Sequence, residues 1–208
     1  MNQLATETYH ITGSCFISNG TIFYNGTALI ENRQAALTDF LLEVYKHFSI
    51  EYPKFYKMDT LSKMGFLATE ILLKHADVKQ YIPEEKGIIL TNASASLDTD
   101  IKYFATVQDI ASPALFVYTL PNIVIGEICI RNNFKGENGF FVFKGFNSTF
   151  LKEYISNLLT TGSLKACIGG WTEVLDEQYK TVLFLVESEK CPGAIPFTIE
   201  NINHIYQL

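Results

Sequence analysis

Four runs of strand length that are apolar almost from end to end constrain this chain more than any other feature. They are 86-KGIILTNAS-94, 139-GFFVF-143, 164-LKACIGG-170 and 180-KTVLFLVES-188. A strand with one wet face alternates apolar and polar residues, whereas a strand covered on both faces does not need to. Segments with helical spacing lie between and before these runs: 34–48, 59–76, 97–110, 119–134 and the stretch after 147. That alternation predicts helices packed on both faces of a mixed sheet. No linker, repeat or low-complexity segment interrupts it. The expectation is one α/β domain over residues 1–208, built on a mixed, mostly parallel sheet of about five strands.

Local chemistry sharpens the outline. The opening run 9-YHITGSCFISNG-20 is β-rich and ends in Asn19-Gly20, and Asn25-Gly26 follows shortly after. Asn-Gly accepts positive φ readily, so both pairs mark tight turns. Asp59 is a plausible N-cap for a helix whose stripe is Leu61, Met64, Leu67, Ala68, Ile71 and Leu72. His75 falls at the end of that helix, where a cation suits the dipole. In 119–134, apolar on nearly all sides, Pro121 is tolerable only in the first turn, and Gly126 predicts a close backbone approach. Asn147 or Ser148 can cap a helix carrying Phe150, Leu151, Tyr154, Ile155, Leu158 and Leu159, which Gly162 ends.

Composition excludes several roles. With a formal net charge of −6, the chain lacks the basic surface of a general nucleic-acid or anionic-membrane binder. The run 112–130 is the only one long enough to suggest a membrane span. It carries Pro121, Asn122 and Glu127 where a span wants about 20 nearly uninterrupted apolar residues, so a buried helix is expected. The first ten residues show no basic region followed by an apolar stretch, and no leader is read there. Cys15, Cys129, Cys167 and Cys191 form no CxxC pair and read as reduced thiols of a cytoplasmic protein. The histidines do not approach zinc spacing, so neither a metal site nor a cofactor is expected.

The stretch 136-GENGFFVFKGFNSTFLKEYISNLL-159 reads as a strand, a short turn and a helix. Such corners favour nucleophiles, because the first helical N–H groups are unpaired and the dipole is positive there. Lys144, Gly145 and Phe146 occupy this one, and no cysteine lies between Cys129 and Cys167. Ser148 has the hydroxyl of a nucleophile but also the ordinary role of a helix cap, and it needs a base. Lys144 is an amine nucleophile only if desolvated.

The order of these segments resembles the N-terminal half of the β-ketoacyl-acyl-carrier-protein synthases, of the thiolase-like superfamily. ITGSCFIS is similar to the family's first-strand pattern, with Cys15 in place of its second glycine. KMDTLSKMGFLATEILL is similar to its early amphipathic helix, and GIILTNASASLDTDIKYF to the strand, loop and helix that follow. Ser112-Pro113 with Phe116, then Leu120, Asn122, Gly126 and Ile128-Cys129-Ile130, resembles the run that leads to the nucleophile. Ile168-Gly169-Gly170 with Glu173 resembles the strand end beyond it.

The resemblance implies a single thiolase-like half-domain. It places Gly145 where the catalytic cysteine would stand, so no catalytic residue carries over. It also implies that Phe143, Lys144, Gly145 and Phe146 line or plug the former active site, with Tyr118 and Asn122 near an interface. In the family the strand before the nucleophile pairs with its symmetry mate, which makes Phe140, Phe141, Val142 and Phe143 interface candidates. The same run equally suits a central buried strand.

The function implied is a non-catalytic ketosynthase-like subunit, of chain-length-factor or initiation-factor type. It would pair with an active β-ketoacyl synthase in fatty-acid, polyketide or polyene biosynthesis, as a heterodimer or a homodimer. One alternative is an acyl-thioester enzyme, a thioesterase or acyltransferase, using Ser148 or Lys144. Another is a binding module for acyl carrier protein or coenzyme A, which the acidic composition makes less attractive.

Overall fold

The structure, a computed structural model, describes residues 9–189 and 191–208. The leader reading rests mainly on residues 1–8, which lie outside them. The two Asn-Gly pairs fold the first strands back on one another. Asn19, Gly20, Asn25 and Gly26 all have positive φ, between 46° and 78°, as primed hairpin turns require. They join β1 (His10–Ser18) to β2 (Thr21–Tyr24) and β2 to β3 (Thr27–Glu31). The remaining strands are β4 (Lys86–Asn92), β5 (Asn138–Val142), β6 (Ala166–Leu175), β7 (Gln178–Glu187) and the short β8 (Ile195–Pro196).

The sheet runs β3-β2-β1-β7-β6-β4-β5, with β8 paired to β1. β4 lies parallel to both β5 and β6, while β7 is antiparallel to β6 and to β1. In the unit β1-β7-β6-β4-β5 four strands therefore point one way and only β7 is reversed. That unit matches the predicted sheet. The whole sheet is larger, with eight strands among the described residues, because two hairpins and β8 extend it beyond β1. Those extra ladders are antiparallel.

Alternation along each strand divides the core in two. Cys15, Ile17, Ile88, Leu90, Leu183 and Leu185 face α1 (Leu37–His47), α2 (Thr60–Lys74) and α5 (Ile123–Asn132). Phe16, Ile89, Val182, Phe184 and Val186 face α6 (Ser148–Thr160) and α7 (Ile199–Gln207). Each fully buried side chain contributes about 1.5–3 kcal/mol over its exposed state, so both faces need their helices.

Two local expectations need correction. The run 112–130 is not one buried helix. Ser112 accepts from the Leu115 N–H, with Pro113 following, and starts the short α4 (Pro113–Val117); the chain then turns before α5. Phe116, Val117, Leu120 and Ile130 are exposed. No helix among the described residues is long and apolar enough to cross a membrane. Gly126 is not the point of close approach either, since a Cβ there would meet nothing within 4 Å. The contact is made by Gly65 of α2, whose added Cβ would lie 2.5 Å from Val124 Cγ2 of α5.

Candidate functional site

The strand–turn–helix corner forms as the sequence predicts. At the end of β5, the Phe143 N–H donates to the Asn92 carbonyl at 2.9 Å, tying β5 to the end of β4. Lys144 and Gly145 make an exposed turn, and a Cβ on Gly145 would touch nothing within 4 Å. Asn147 is the cap of α6, its Oδ1 accepting the Phe150 N–H at 2.9 Å. Ser148 is the first helical residue and is buried, so it does not cap; among the described residues no hydrogen bond joins it to a base.

The corner opens onto a cavity of about 350 Å³ at the carboxyl ends of β4 and β6, the edge where open α/β sheets hold their sites. Lys144, Gly145, Trp171, Glu173, Tyr179 and Tyr206 line it. Phe146 stacks face to face on Tyr206, with ring centroids 3.9 Å apart, and Trp171 meets both rings edge-on. The Lys180 ammonium donates to the Tyr206 carbonyl and lies 4.2 Å from its ring centroid, also facing Phe16. Burial pushes the Lys180 pKa down. Burial first, then the Glu173 charge, pushes the Tyr206 hydroxyl up.

The predicted site residues fall into three groups. Lys144 and Gly145 line the cavity and Phe146 backs its wall. Phe141 and Phe143 pack on Phe150 of α6, each with centroids 4.8 Å away, and form an aromatic flank beside β5. Tyr118 and Asn122 lie between α4 and α5, outside the cavity lining. Tyr118 is buried, its hydroxyl pKa pushed up to about 12 by burial and by the Glu127 carboxylate; Asn122 is exposed. The nearest cysteines in sequence are not at the corner: Cys129 is part of α5, and Cys167 is fully buried in β6.

Two surfaces adjoin this corner. Among the described residues β5 is the last strand of the sheet and its outer side pairs with no strand, and Val142 is exposed. The reading of a central, fully buried strand is therefore corrected: none of its five residues is fully buried. The second surface is an arm made by α3 (Leu97–Val107) and α4. Only the first turn of α3 is anchored. Thr99 donates to Asp59 at 2.7 Å, Asp98 accepts the Asp176 N–H at 3.2 Å, and Ser96 donates to the Thr119 carbonyl at 2.6 Å. Beyond Thr99 no residue of α3 is buried, and Ile101, Phe104 (66% exposed), Ile110 (85%), Phe116 (58%) and Leu120 face outward. Contiguous apolar exposure of this kind marks an interaction surface.

The sequence reading missed Trp171, Lys180 and Tyr206, which no motif connects. It also missed the outward turn of the α3 stripe, although its spacing (Leu97, Ile101, Phe104) is visible.

No protein-family model matches this sequence, and no curated protein matches it. Solved structures do match, and they show the fold: the α/β fold of ketosynthase chains. One match is the ishigamide ketosynthase/chain length factor, at 16% identity and a TM-score of 0.61, covering 91% of this chain and 64% of that chain. Another is the ketosynthase ApeO in complex with its chain length factor ApeC from Xenorhabdus doucetiae, at 13% and 0.60, covering 96% and 90%. A third is a β-ketoacyl synthase from Burkholderia phymatum STM815, at 12% and 0.56, covering 86% and 59%. The chain thus spans less than two thirds of the ishigamide and Burkholderia chains, and at these identities the likeness is one of fold.

Proposed function

We propose that this chain is a non-catalytic ketosynthase-like subunit that pairs with an active β-ketoacyl synthase. It acts in the cytoplasm as a chain-length or initiation factor in fatty-acid, polyketide or polyene biosynthesis. The observation that carries the proposal is the uncharged edge of β5, unpaired among the described residues, beside the bare apolar arm. A chain acting alone would leave both in water, and a strand edge is a template for another chain. The corner supports the same reading, because Gly145 offers no attacking group where the resemblance expects one. Two of the matched structures are described as a ketosynthase with a chain length factor, and a third as an acyl-carrier protein with its ketosynthase. Those partners come to this chain as part of the proposal.

The enzyme alternatives find little support in the geometry. Ser148 is buried and no hydrogen bond joins it to a base among the described residues, and Lys144 is exposed rather than desolvated.

Co-expression with a full-length synthase, followed by affinity purification, tests the proposal. A stoichiometric complex, with product length altered by changing Phe143 or Gly145, is the expected result. A monomer that binds no synthase, or a stable acyl adduct on Ser148 or Lys144, contradicts it. Self-association through the same edge would make the homodimer the working form.

A further inference from the structure

Glu173 holds a polar imbalance at the cavity. Its Oε2 accepts the backbone N–H groups of Ala93 at 2.6 Å and Ser94 at 3.2 Å, pinning the loop between β4 and α3. Its Oε1 is buried and has no hydrogen-bond partner among the described residues. A buried carboxylate oxygen without a donor is costly, so a donor belongs there. Two ammonium groups reach the same cavity. Lys180 is committed to the Tyr206 carbonyl and ring. Lys144 is exposed, makes no hydrogen bond or ion pair among the described residues, and sits on a turn that Gly145 leaves open.

We infer that Lys144 is the counterion of Glu173. Its ammonium folds over the cavity onto Oε1, and the ion pair ties the β5–α6 corner to the root of the α3 arm. Glu173 is half-buried and its Oε1 is shielded from water, so the contact is charge-assisted and screened less than a fully exposed bridge. The pair gives the corner a use without a nucleophile: it closes the cavity and sets the arm against the β5 edge. Lys144 is thus a positioning residue. Its effect on partner binding rests on the proposed function, whereas the ion pair itself does not.

A double-mutant cycle tests this. Glu173→Gln keeps an acceptor for Ala93 and Ser94 but removes the charge; Lys144→Met removes the cation. Each single variant should weaken synthase binding by about tenfold and lower the thermal midpoint, and the double variant should be no worse than the poorer single. Lys144→Arg should retain most of the binding. In the isolated chain, the NMR signal of a 13C-methylated Lys144 ammonium should shift on Glu173→Gln. Strictly additive losses with no NMR shift overturn the inference, including the case in which Gln178 or a tyrosine hydroxyl satisfies Oε1 instead. If no synthase binds the unaltered chain, the proposed function fails, and the thermal coupling and NMR shift still decide the ion pair.

Discussion

At one edge of the sheet, the ladder of β3 with β2 is broken by a register shift after Ile22, and Glu31 pairs with Arg33 at 2.8 Å. At the other edge, β5 presents Asn138, Gly139, Phe140, Phe141 and Val142, with no charge in the strand. Bulges and charges are the ordinary devices that stop a strand edge from recruiting another chain. One edge carries both and the other carries neither, within a single sheet. The apolar arm stands on the unguarded side: α3 begins just past the end of β4, the strand that pairs with β5. This difference locates the surface a partner would cover.

The largest expected effect comes from guarding the bare edge. Val142→Lys combined with Phe104→Asp places charge at two exposed positions and should leave the fold intact. Losses of about 2–4 kcal/mol are typical of interface centres, so synthase binding should fall by roughly 30-fold to 1,000-fold in titration calorimetry. Ala28→Lys on the exposed β3 edge is the matched control and should change binding by less than about twofold. Equal effects at both edges would break the comparison.

A smaller effect tests the backing of the β5 side. Gly65→Ala should lower stability by about 1–3 kcal/mol in denaturant unfolding, because the new methyl group displaces Val124 and with it α5. Gly126→Ala, facing open space on the same helix pair, should raise stability by up to about 1 kcal/mol.

The smallest effect lies at the root of the arm. Asp59 caps α2 through the Ser62 N–H at 2.9 Å and accepts the Thr99 hydroxyl at 2.7 Å, yet burial raises its pKa. A carboxyl whose folded pKa is raised contributes stability below its unfolded pKa and loses it as pH rises through the folded value. Asp59→Asn keeps the Oδ1 acceptor for the Ser62 N–H, turns the Thr99 contact into an amide N–H donating to the hydroxyl, and cannot ionise. Its thermal midpoint relative to the unaltered chain should therefore rise as pH climbs from the ordinary aspartate value and level off above the folded one. A difference that stays flat across that range would contradict the burial argument.

Much of the fold was legible because short-range chemistry decides it. The Asn-Gly pairs fixed both hairpins, Asp59 capped α2, and the unbroken apolar runs within 86–92 and 180–187 matched strands covered on both faces. The corner was legible for the same reason, with Asn147 rather than Ser148 taking the cap. Strand order was not legible, since an apolar run such as GFFVF suits a central or an edge strand equally. The stripe Leu97, Ile101, Phe104 told of an apolar face but not whether that face meets its own core or another chain. Trp171, Lys180 and Tyr206 come together only once the β6–β7 hairpin and α7 have folded, and their spacing in the chain carries no signal.

Hydrogen exchange with and without a full-length β-ketoacyl synthase tests the central claim most directly. Amides of β5 and of the arm at 97–120 should gain protection in the complex, while those of β3 stay unchanged. Protection confined to β3, or no change at β5 when the synthase is present in excess, would contradict the account.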